Sequence, residues 1–168
     1  MHLSPSIAPN IRDAVSNFRG LYGADPIPSG SGFGDAIFAR LLVTEASVSQ
    51  DTDSGRVSGR LVAEIDVEHD MLNGMGNVQG GCTSTLIDIG STLCFMAAYN
   101  GTHVSQSLNV VYHSPATLGD KLRIISTTLS IGTRVITART EIWNATRHRL
   151  AASGVHIKMT PTGGASRL

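Results

Sequence analysis

The chain has 168 residues, of which 41% are hydrophobic and 15% charged, and its 13 basic side chains balance 13 acidic ones. This apolar content is enough for the core of one domain and excludes a disordered chain. The balanced charge points away from nucleic acid, which proteins bind through a strong positive field.

Two elements are predicted before the first strand. Apolar spacing over residues 9–22 predicts a short amphipathic helix, with one face formed by Ile11, Val15, Phe18 and Tyr22. Residues 23–35 are rich in Gly, Pro and Ser, which predicts a loop. The first twenty residues lack the charged start and long apolar run of a secretory signal.

A hairpin is predicted next. Residues 36–48 and 56–67 predict two strands, and the alternation of apolar residues in the second strand predicts one buried face. The sequence QDTDSG between them predicts a turn. Its DTDSG resembles the start of a calcium loop, but the position where such a loop needs a glutamate is Val62.

A long helix is predicted over residues 80–99, the segment GGCTSTLIDIGSTLCFMAAY. Its length is close to that of a membrane span, but it contains a carboxylate, five Ser or Thr and three Gly, without basic flanks. We therefore expect a buried core helix and no integral membrane association.

Four strand-like runs follow the helix. They are rich in Val, Ile and Thr, are separated by turn residues, and cover about 103–113, 119–131, 133–144 and 149–159. One apolar helix with six strands, and no alternation of strand and helix, predicts an α+β domain with an antiparallel sheet. The simplest way to bury such a helix is to wrap the sheet around it.

The single charge of the long helix, Asp88, has two interpretations. It lies on an exposed stripe or pairs with an arginine, because buried carboxylates need a partner. Alternatively it is a general base in a dry cleft. Ser84, Ser91 and Thr92 lie near it on the helical wheel, and this polar stripe fits both interpretations.

The start of the helix carries Gly80 and Gly81. Free amide N–H groups at this point favour a developing oxyanion, although the glycines also suit a tight turn. The chain has no GxSxG elbow and no paired Cys/His metal spacing, so we expect no metal. Cys82 is either a reactive thiol or, more simply, a small apolar residue.

These residues resemble a known motif. HDMLNGMGNVQGGCTSTLIDIGST is similar to the core motif of hotdog-fold acyl-CoA thioesterases, of the phenylacetyl-CoA thioesterase type and its animal relatives. The family pattern is approximately N-x(5)-H-G-G-x(6)-D. Its positions fall on Asn73, Gln79, Gly80, Gly81 and Asp88.

The resemblance extends downstream through HVSQSLNVVYHSPATLGDKL and the last two strands, and covers about residues 36–160. We therefore divide the chain into an N-terminal helix and loop over 1–35, a hotdog domain over 36–160 and a tail over 161–168. The family implies a sheet of about six strands around the helix. It also implies a homodimer, often a homotetramer, with active sites shared between protomers.

The resemblance implies hydrolysis of acyl-CoA without a cofactor. Asp88 would be the base or nucleophile, and the amide of Gly80 would polarise the thioester carbonyl. Asn73 of the neighbouring chain would position the water or the carbonyl. Ser105 matches a serine that assists the water.

One position departs from the family pattern. Gln79 replaces the usual histidine, and glutamine cannot titrate near neutral pH although it donates and accepts hydrogen bonds. The alternative to hydrolysis is therefore a non-catalytic protein that binds acyl-CoA or an acyl carrier. A dehydratase on the same fold ranks lower, because His69 precedes DML instead of FP.

Further residues are expected to bind the substrate. Gln79 and Gly81 lie beside the expected reaction centre. Arg134 and Lys158 are candidates for the rim that meets the CoA nucleotide, although ordinary surface charge is the alternative for both. Two free thiols fit a reducing compartment, so we expect a cytoplasmic or mitochondrial protein.

Overall fold

The structure is a computed structural model that describes residues 1–16, 32–99 and 101–161. The helices and strands described before residue 67 are β1 (His2–Leu3), α1 (Pro9–Ser16), α2 (Asp35–Arg40), β2 (Leu42–Gln50) and β3 (Val57–Asp66). The helix predicted over 9–22 is confirmed as far as Ser16. The remainder of that prediction, with most of the predicted loop and the tail, lies outside the described residues.

The first predicted strand is wrong at its start. Residues 35–40 form helix α2 instead of the beginning of a strand. Gly34 precedes this helix in the left-handed conformation (φ 75°), which glycine adopts without strain. Asp35 in the first turn and Arg40 in the last turn match the helix dipole.

The second half agrees with the prediction. A 3₁₀ turn (His69–Met71) leads to α3 (Gly80–Ala98), which four strands follow: β4 (Val104–Tyr112), β5 (Lys121–Ile131), β6 (Val135–Asn144) and β7 (Arg149–Met159). The turns between the strands lie where Pro, Gly and Asn predicted them.

The seven strands form one sheet in the order β1-β2-β3-β5-β6-β7-β4. Every neighbouring pair is antiparallel except the short β1, which runs parallel to β2. Because β4 joins the sheet beyond β7, the segment that follows α3 is brought beside the last strand. That arrangement decides which side chains surround Asp88.

Helix α3 packs on one face of the sheet and fills the core. By length and composition this helix could cross a membrane, but 61% of its most apolar window is buried inside the fold. Gly90 lets it lie close to the sheet, since a Cβ there would come within 2.8 Å of Ile124 Cγ2 and 2.9 Å of Ser126 Oγ. The helix is thus a core element, as predicted.

Candidate active site

Asp88 lies in the middle of α3, on the edge of the buried surface. Its side chain is 47% exposed, and the Thr92 hydroxyl, which donates to the Asp88 backbone carbonyl at 2.7 Å, also lies 3.3 Å from Asp88 Oδ1. The same Oδ1 lies 3.6 Å from His156 Nδ1. The carboxylate therefore combines access to solvent with fixed contacts, as a general base requires.

The side chain that connects Asp88 to the sheet is His156 on β7. It is 1% exposed, its Nδ1 lies 2.7 Å from Ser91 Oγ, and its Nε2 lies 3.0 Å from Ser105 Oγ. Burial, and next the charge of Lys158, lower the pKa of His156 to about 4, against an opposing effect of Asp88. The imidazole is therefore neutral at physiological pH.

Sequence analysis missed this histidine because no nucleophile or metal motif surrounds it. The signal was the alternation in SGVHIKM, which turns Gly154, His156 and Lys158 toward α3. Gly154 approaches Ile87 of the helix, and His156 bonds to Ser91 one turn further along it. Strand periodicity alone predicts that these three residues share one face of β7, but it does not predict which residues of α3 they contact.

Ser105 stands at the start of β4 and is exposed. It is paired with Lys158 in the register between β4 and β7, which brings its hydroxyl to His156 Nε2. The structure thus brings Ser105 and Asp88 to one histidine, although 17 positions separate them in sequence.

Gln79 and Gly80 form the start of α3. Gln79 is the N-cap residue, and its Oε1 accepts a hydrogen bond from the Gly80 amide at 3.2 Å. Tyr112 covers the other side of this turn, since its hydroxyl donates to the Gly80 carbonyl at 3.1 Å. In this structure the amide expected to polarise the thioester is engaged by its own neighbour.

Asn73 belongs to the loop that leads into α3. Its Oδ1 accepts from the backbone amides of Met75 at 2.9 Å and Asn77 at 3.2 Å. These bonds use the acceptor side of the amide, which leaves Nδ2 as the group that donates to a substrate carbonyl. Gly81 is exposed, and a Cβ built on it meets nothing within 4 Å.

Within one chain, the expected oxyanion donor and the expected base lie far apart. Gly80 and Asp88 are eight residues apart in the same helix, which corresponds to about 12 Å along its axis. The amide must hydrogen-bond the carbonyl oxygen while the carboxylate hydrogen-bonds the water that attacks the same carbonyl, each over about 2.6–3.2 Å. A single chain therefore does not bring the Gly80 amide and the Asp88 carboxylate to the same thioester.

A cavity of about 350 Å³ opens between the first turn of α3 and the end of β4. Its lining includes Val78, Gly80, Tyr112, Leu122, Ile142 and Ala151. Most of this surface is apolar, and Gly80 is on its wall. This volume falls in the range of small-molecule sites.

The two cationic candidates differ in their positions. Arg134 is exposed in the turn between β5 and β6, where a rim residue was expected. Lys158 is only 3% exposed, so its expected position at the rim is wrong. The alternation of β7 turns it inward, to the same face as His156.

The thiols are poor nucleophiles. Burial, followed by the charge of Asp70, raises the pKa of Cys82 to about 11, and burial raises the pKa of Cys94 to about 12. Both cysteines are therefore thiols at neutral pH, which disfavours the interpretation of Cys82 as a reactive thiol. Within the described ranges, no three His, Cys, Asp or Glu side chains lie close enough to hold a metal ion.

Comparison with known proteins identifies the family. A sequence model of the thioesterase superfamily matches residues 75–151. Acyl-coenzyme A thioesterase 13 of Mus musculus is 35% identical over 100 residues, which cover 59% of this chain and 71% of the mouse protein.

Solved structures give the same result. The crystal structure of zebrafish thioesterase superfamily member 2 has a TM-score of 0.70 and 25% identity, and the match covers 90% of this chain and 98% of that one. Member 2 of the same superfamily from Mus musculus has a TM-score of 0.65 and 27% identity, over 90% and 96% of the two chains. The sheet wrapped around α3 is thus the hotdog fold, and this chain belongs to the thioesterase superfamily.

Proposed function

We propose that this protein hydrolyses acyl-CoA thioesters to the free acid and CoA. The observation that carries the proposal is the contact of Asp88 and Ser105 with His156, beside a helix that begins with Gly80. A carboxylate, a hydroxyl and a backbone amide supply a base, a water-positioning group and an oxyanion donor. The similarity to an acyl-coenzyme A thioesterase supports the substrate class.

In the proposed reaction, a water molecule lies between Ser105 and Asp88. Its oxygen bonds to the thioester carbonyl carbon while Asp88 takes one proton, and negative charge develops on the carbonyl oxygen near the Gly80 amide. Collapse of this intermediate breaks the carbon–sulfur bond. The CoA thiolate then receives the proton from Asp88, which returns the carboxylate to its starting state.

The two halves of the site meet, we propose, between two copies of the chain. Gly80 and Asn73 of one copy would hold the carbonyl, while Asp88 and Ser105 of the other would direct the water. The separation of about 12 Å between Gly80 and Asp88 along one helix supports this division, because one chain alone leaves the carbonyl and the base too far apart.

The acyl group would enter the cavity beside Gly80. An apolar cavity of roughly 150 Å³ holds a benzene molecule, and the cavity of about 350 Å³ has room for an aryl or medium-chain acyl group. Arg134 remains our candidate for the CoA phosphates, since its charge is exposed at the end of the sheet where β4 begins.

One observation favours a second candidate, an acyl-CoA binding protein without turnover. Gln79 Oε1 occupies the Gly80 N–H. If the substrate carbonyl does not displace it, the oxyanion lacks its donor and hydrolysis is slow while binding persists.

Thiol release from a panel of aryl, medium-chain and long-chain acyl-CoAs separates the two candidates. Wild-type protein should release CoA, Asp88→Asn should not, and Gln79→His tests the residue usual in the family. Tight binding of the panel by wild-type protein without thiol release would establish the binding protein instead.

A further inference from the structure

A buried lysine is the least expected feature of the site. The chain has only two lysines, and Lys158 is 3% exposed. Lysines are almost never fully buried unless they are paired, because the lost hydration of an ammonium group is costly. A charged lysine at this position therefore requires a negative charge nearby.

Lys158 lies near enough to the Asp88 carboxylate for their charges to interact. It lies two residues after His156 on the same face of β7, and it lines a small cavity together with Thr92. The Thr92 hydroxyl lies 3.3 Å from Asp88 Oδ1 and 2.7 Å from the Asp88 carbonyl. Burial lowers the pKa of Lys158, and the nearby charge of Asp88 raises it.

The charged and titratable groups around this point come from three segments. Asp88 belongs to α3, His103 precedes β4, and His156 and Lys158 belong to β7. The strands β5 and β6 face the helix with neutral side chains, among them Ser126, Thr140 and Ile136. Burial is thus the largest influence on the charge of His156, and Lys158 and then Asp88 are the charged groups that add to it or oppose it.

The direction of the hydrogen bonds around the ring depends on which imidazole nitrogen carries the proton. Ser91 has one hydroxyl hydrogen, which it donates to the Asp88 carbonyl at 2.8 Å. With that hydrogen on the carbonyl, the contact of 2.7 Å between Ser91 Oγ and His156 Nδ1 is donated by the ring, which requires the tautomer with hydrogen on Nδ1. Asp88 Oδ1, at 3.6 Å from the same nitrogen, also favours hydrogen there.

The other ring nitrogen is consequently an acceptor. In a neutral ring with hydrogen on Nδ1, Nε2 accepts the hydroxyl hydrogen of Ser105 over 3.0 Å. The lone pairs of Ser105 then face away from the ring, toward solvent. A protonated ring would reverse this bond, because both of its nitrogens donate.

We propose that Lys158 is a positioning residue that acts together with burial to hold His156 in its neutral form, so that Ser105 offers a lone pair to the attacking water and Asp88 alone takes the proton. The role given to Ser105 and Asp88 in this inference rests on the proposed hydrolysis. The effect of Lys158 on the protonation of His156 does not. The lysine charge acts through the histidine and touches neither water nor substrate.

The direct test is NMR of the His156 ring in the full-length protein, with the signal assigned by its loss in His156→Gln. In wild-type protein we expect the neutral form with hydrogen on Nδ1, and titration near pH 4. In Lys158→Met the titration midpoint should rise by at least about one pH unit, since an adjacent like charge disfavours the protonated ring.

Two variants control for other effects. Lys121→Met removes the other lysine, whose partner is Asp66 on the surface, and should leave the midpoint unchanged. Lys158→Arg keeps the charge and should keep the midpoint low. Lys158→Met should remain folded, because methionine has a similar volume and no charge to bury.

Activity provides the second readout. The acid side of the profile of kcat/KM against pH should move upward in Lys158→Met by a similar amount, and stay in place in Lys121→Met. A hydrogen on Nε2 in wild-type protein, or an unchanged midpoint in Lys158→Met, would overturn the proposal. So would an acyl group found on Ser105 by intact-mass analysis after rapid quenching, since Ser105 would then be the nucleophile.

The NMR results do not depend on turnover. Absence of thiol release from wild-type protein, with the ring behaving as expected, would reject the hydrolase and leave the role of Lys158 in place.

Discussion

The Gln79 side chain holds the Gly80 amide hydrogen that a substrate carbonyl would need. The Oε1 atom of Gln79 lies 3.2 Å from the Gly80 nitrogen and accepts its amide hydrogen. A thioester carbonyl that is polarised by the same amide must displace the side chain. Gln79, which replaces the histidine of the family pattern, thus affects the polarisation of the thioester carbonyl by Gly80.

Gln79→Glu should increase stability and decrease turnover. A carboxylate accepts the Gly80 hydrogen more strongly than an amide does, and negative charge at a helix N-terminus is stabilising. The same charge repels the developing oxyanion, so we expect kcat to fall at least about tenfold while Tm rises. Stopped-assay thiol release and calorimetry measure the two effects.

Gln50→Glu, at the end of β2, is the matched control and should change neither property in this way. A Gln79→Glu protein with normal turnover would mean that the Gly80 amide does not meet the reacting carbonyl.

Asp88→Asn should remove the base and keep the fold. The side chain is half exposed, and asparagine retains an oxygen for the Thr92 hydroxyl. General-base catalysis contributes about 10²–10⁴-fold, so we expect turnover to fall at least about a hundredfold, with an unchanged circular dichroism spectrum. Asp66→Asn, which only breaks a surface pair with Lys121, serves as control.

Two inactive variants should restore activity when they are mixed. A dimer of one Asp88→Asn chain and one Asn73→Ala chain contains one intact site, if each site takes Asp88 from one copy and Asn73 from the other. The chains would be unfolded together and refolded, and thiol release measured against each variant refolded alone. Mixtures no more active than either variant would place the whole site within one chain.

Acidification should destabilise the protein through His156. The pKa of this ring falls from an ordinary 6.5 to about 4 on folding, so the unfolded chain binds more protons between those values. The free energy of unfolding should therefore decrease as pH falls from about 6.5 to about 4, by up to about 3 kcal/mol. Urea unfolding across this range measures the slope.

His156→Gln is the control for this slope. Glutamine cannot take up a proton, so the part of the pH dependence that belongs to His156 should disappear. An identical slope in wild-type protein and His156→Gln would show that the ring titrates alike in the folded and unfolded states.

Arg134→Gln should weaken the binding of CoA thioesters without affecting the chemical step. A hydrogen bond to a charged group contributes about 1.5–3 kcal/mol, so KM should rise about tenfold or more for acyl-CoA. KM for an acyl thioester of N-acetylcysteamine, which lacks the nucleotide, should stay constant. Arg139→Gln, whose side chain is held by Glu141, is the matched control; equal KM changes in the two arginine variants would argue against a specific contact.

Local pattern was enough to predict most elements but failed at α2. Residues 36–48 are mostly apolar, which predicts a strand. The helix over 35–40 is stabilised by features outside that pattern: Gly34 before it, and the Arg40 side chain, which pairs with Asp70 at 2.7 Å. The second of these is a contact across 30 positions, which no local window contains.

The sequence by itself determined the long apolar helix, the strands that follow it and the spacing of Asp88 from Gly80, because these depend on periodicity and on neighbours within a few turns. Only the tertiary structure decided what surrounds Asp88. The register between β4 and β7 joins Ser105 to His156 and turns Lys158 inward. Such pairings depend on the strand order of the whole sheet, and that order is set by the need to bury the entire helix.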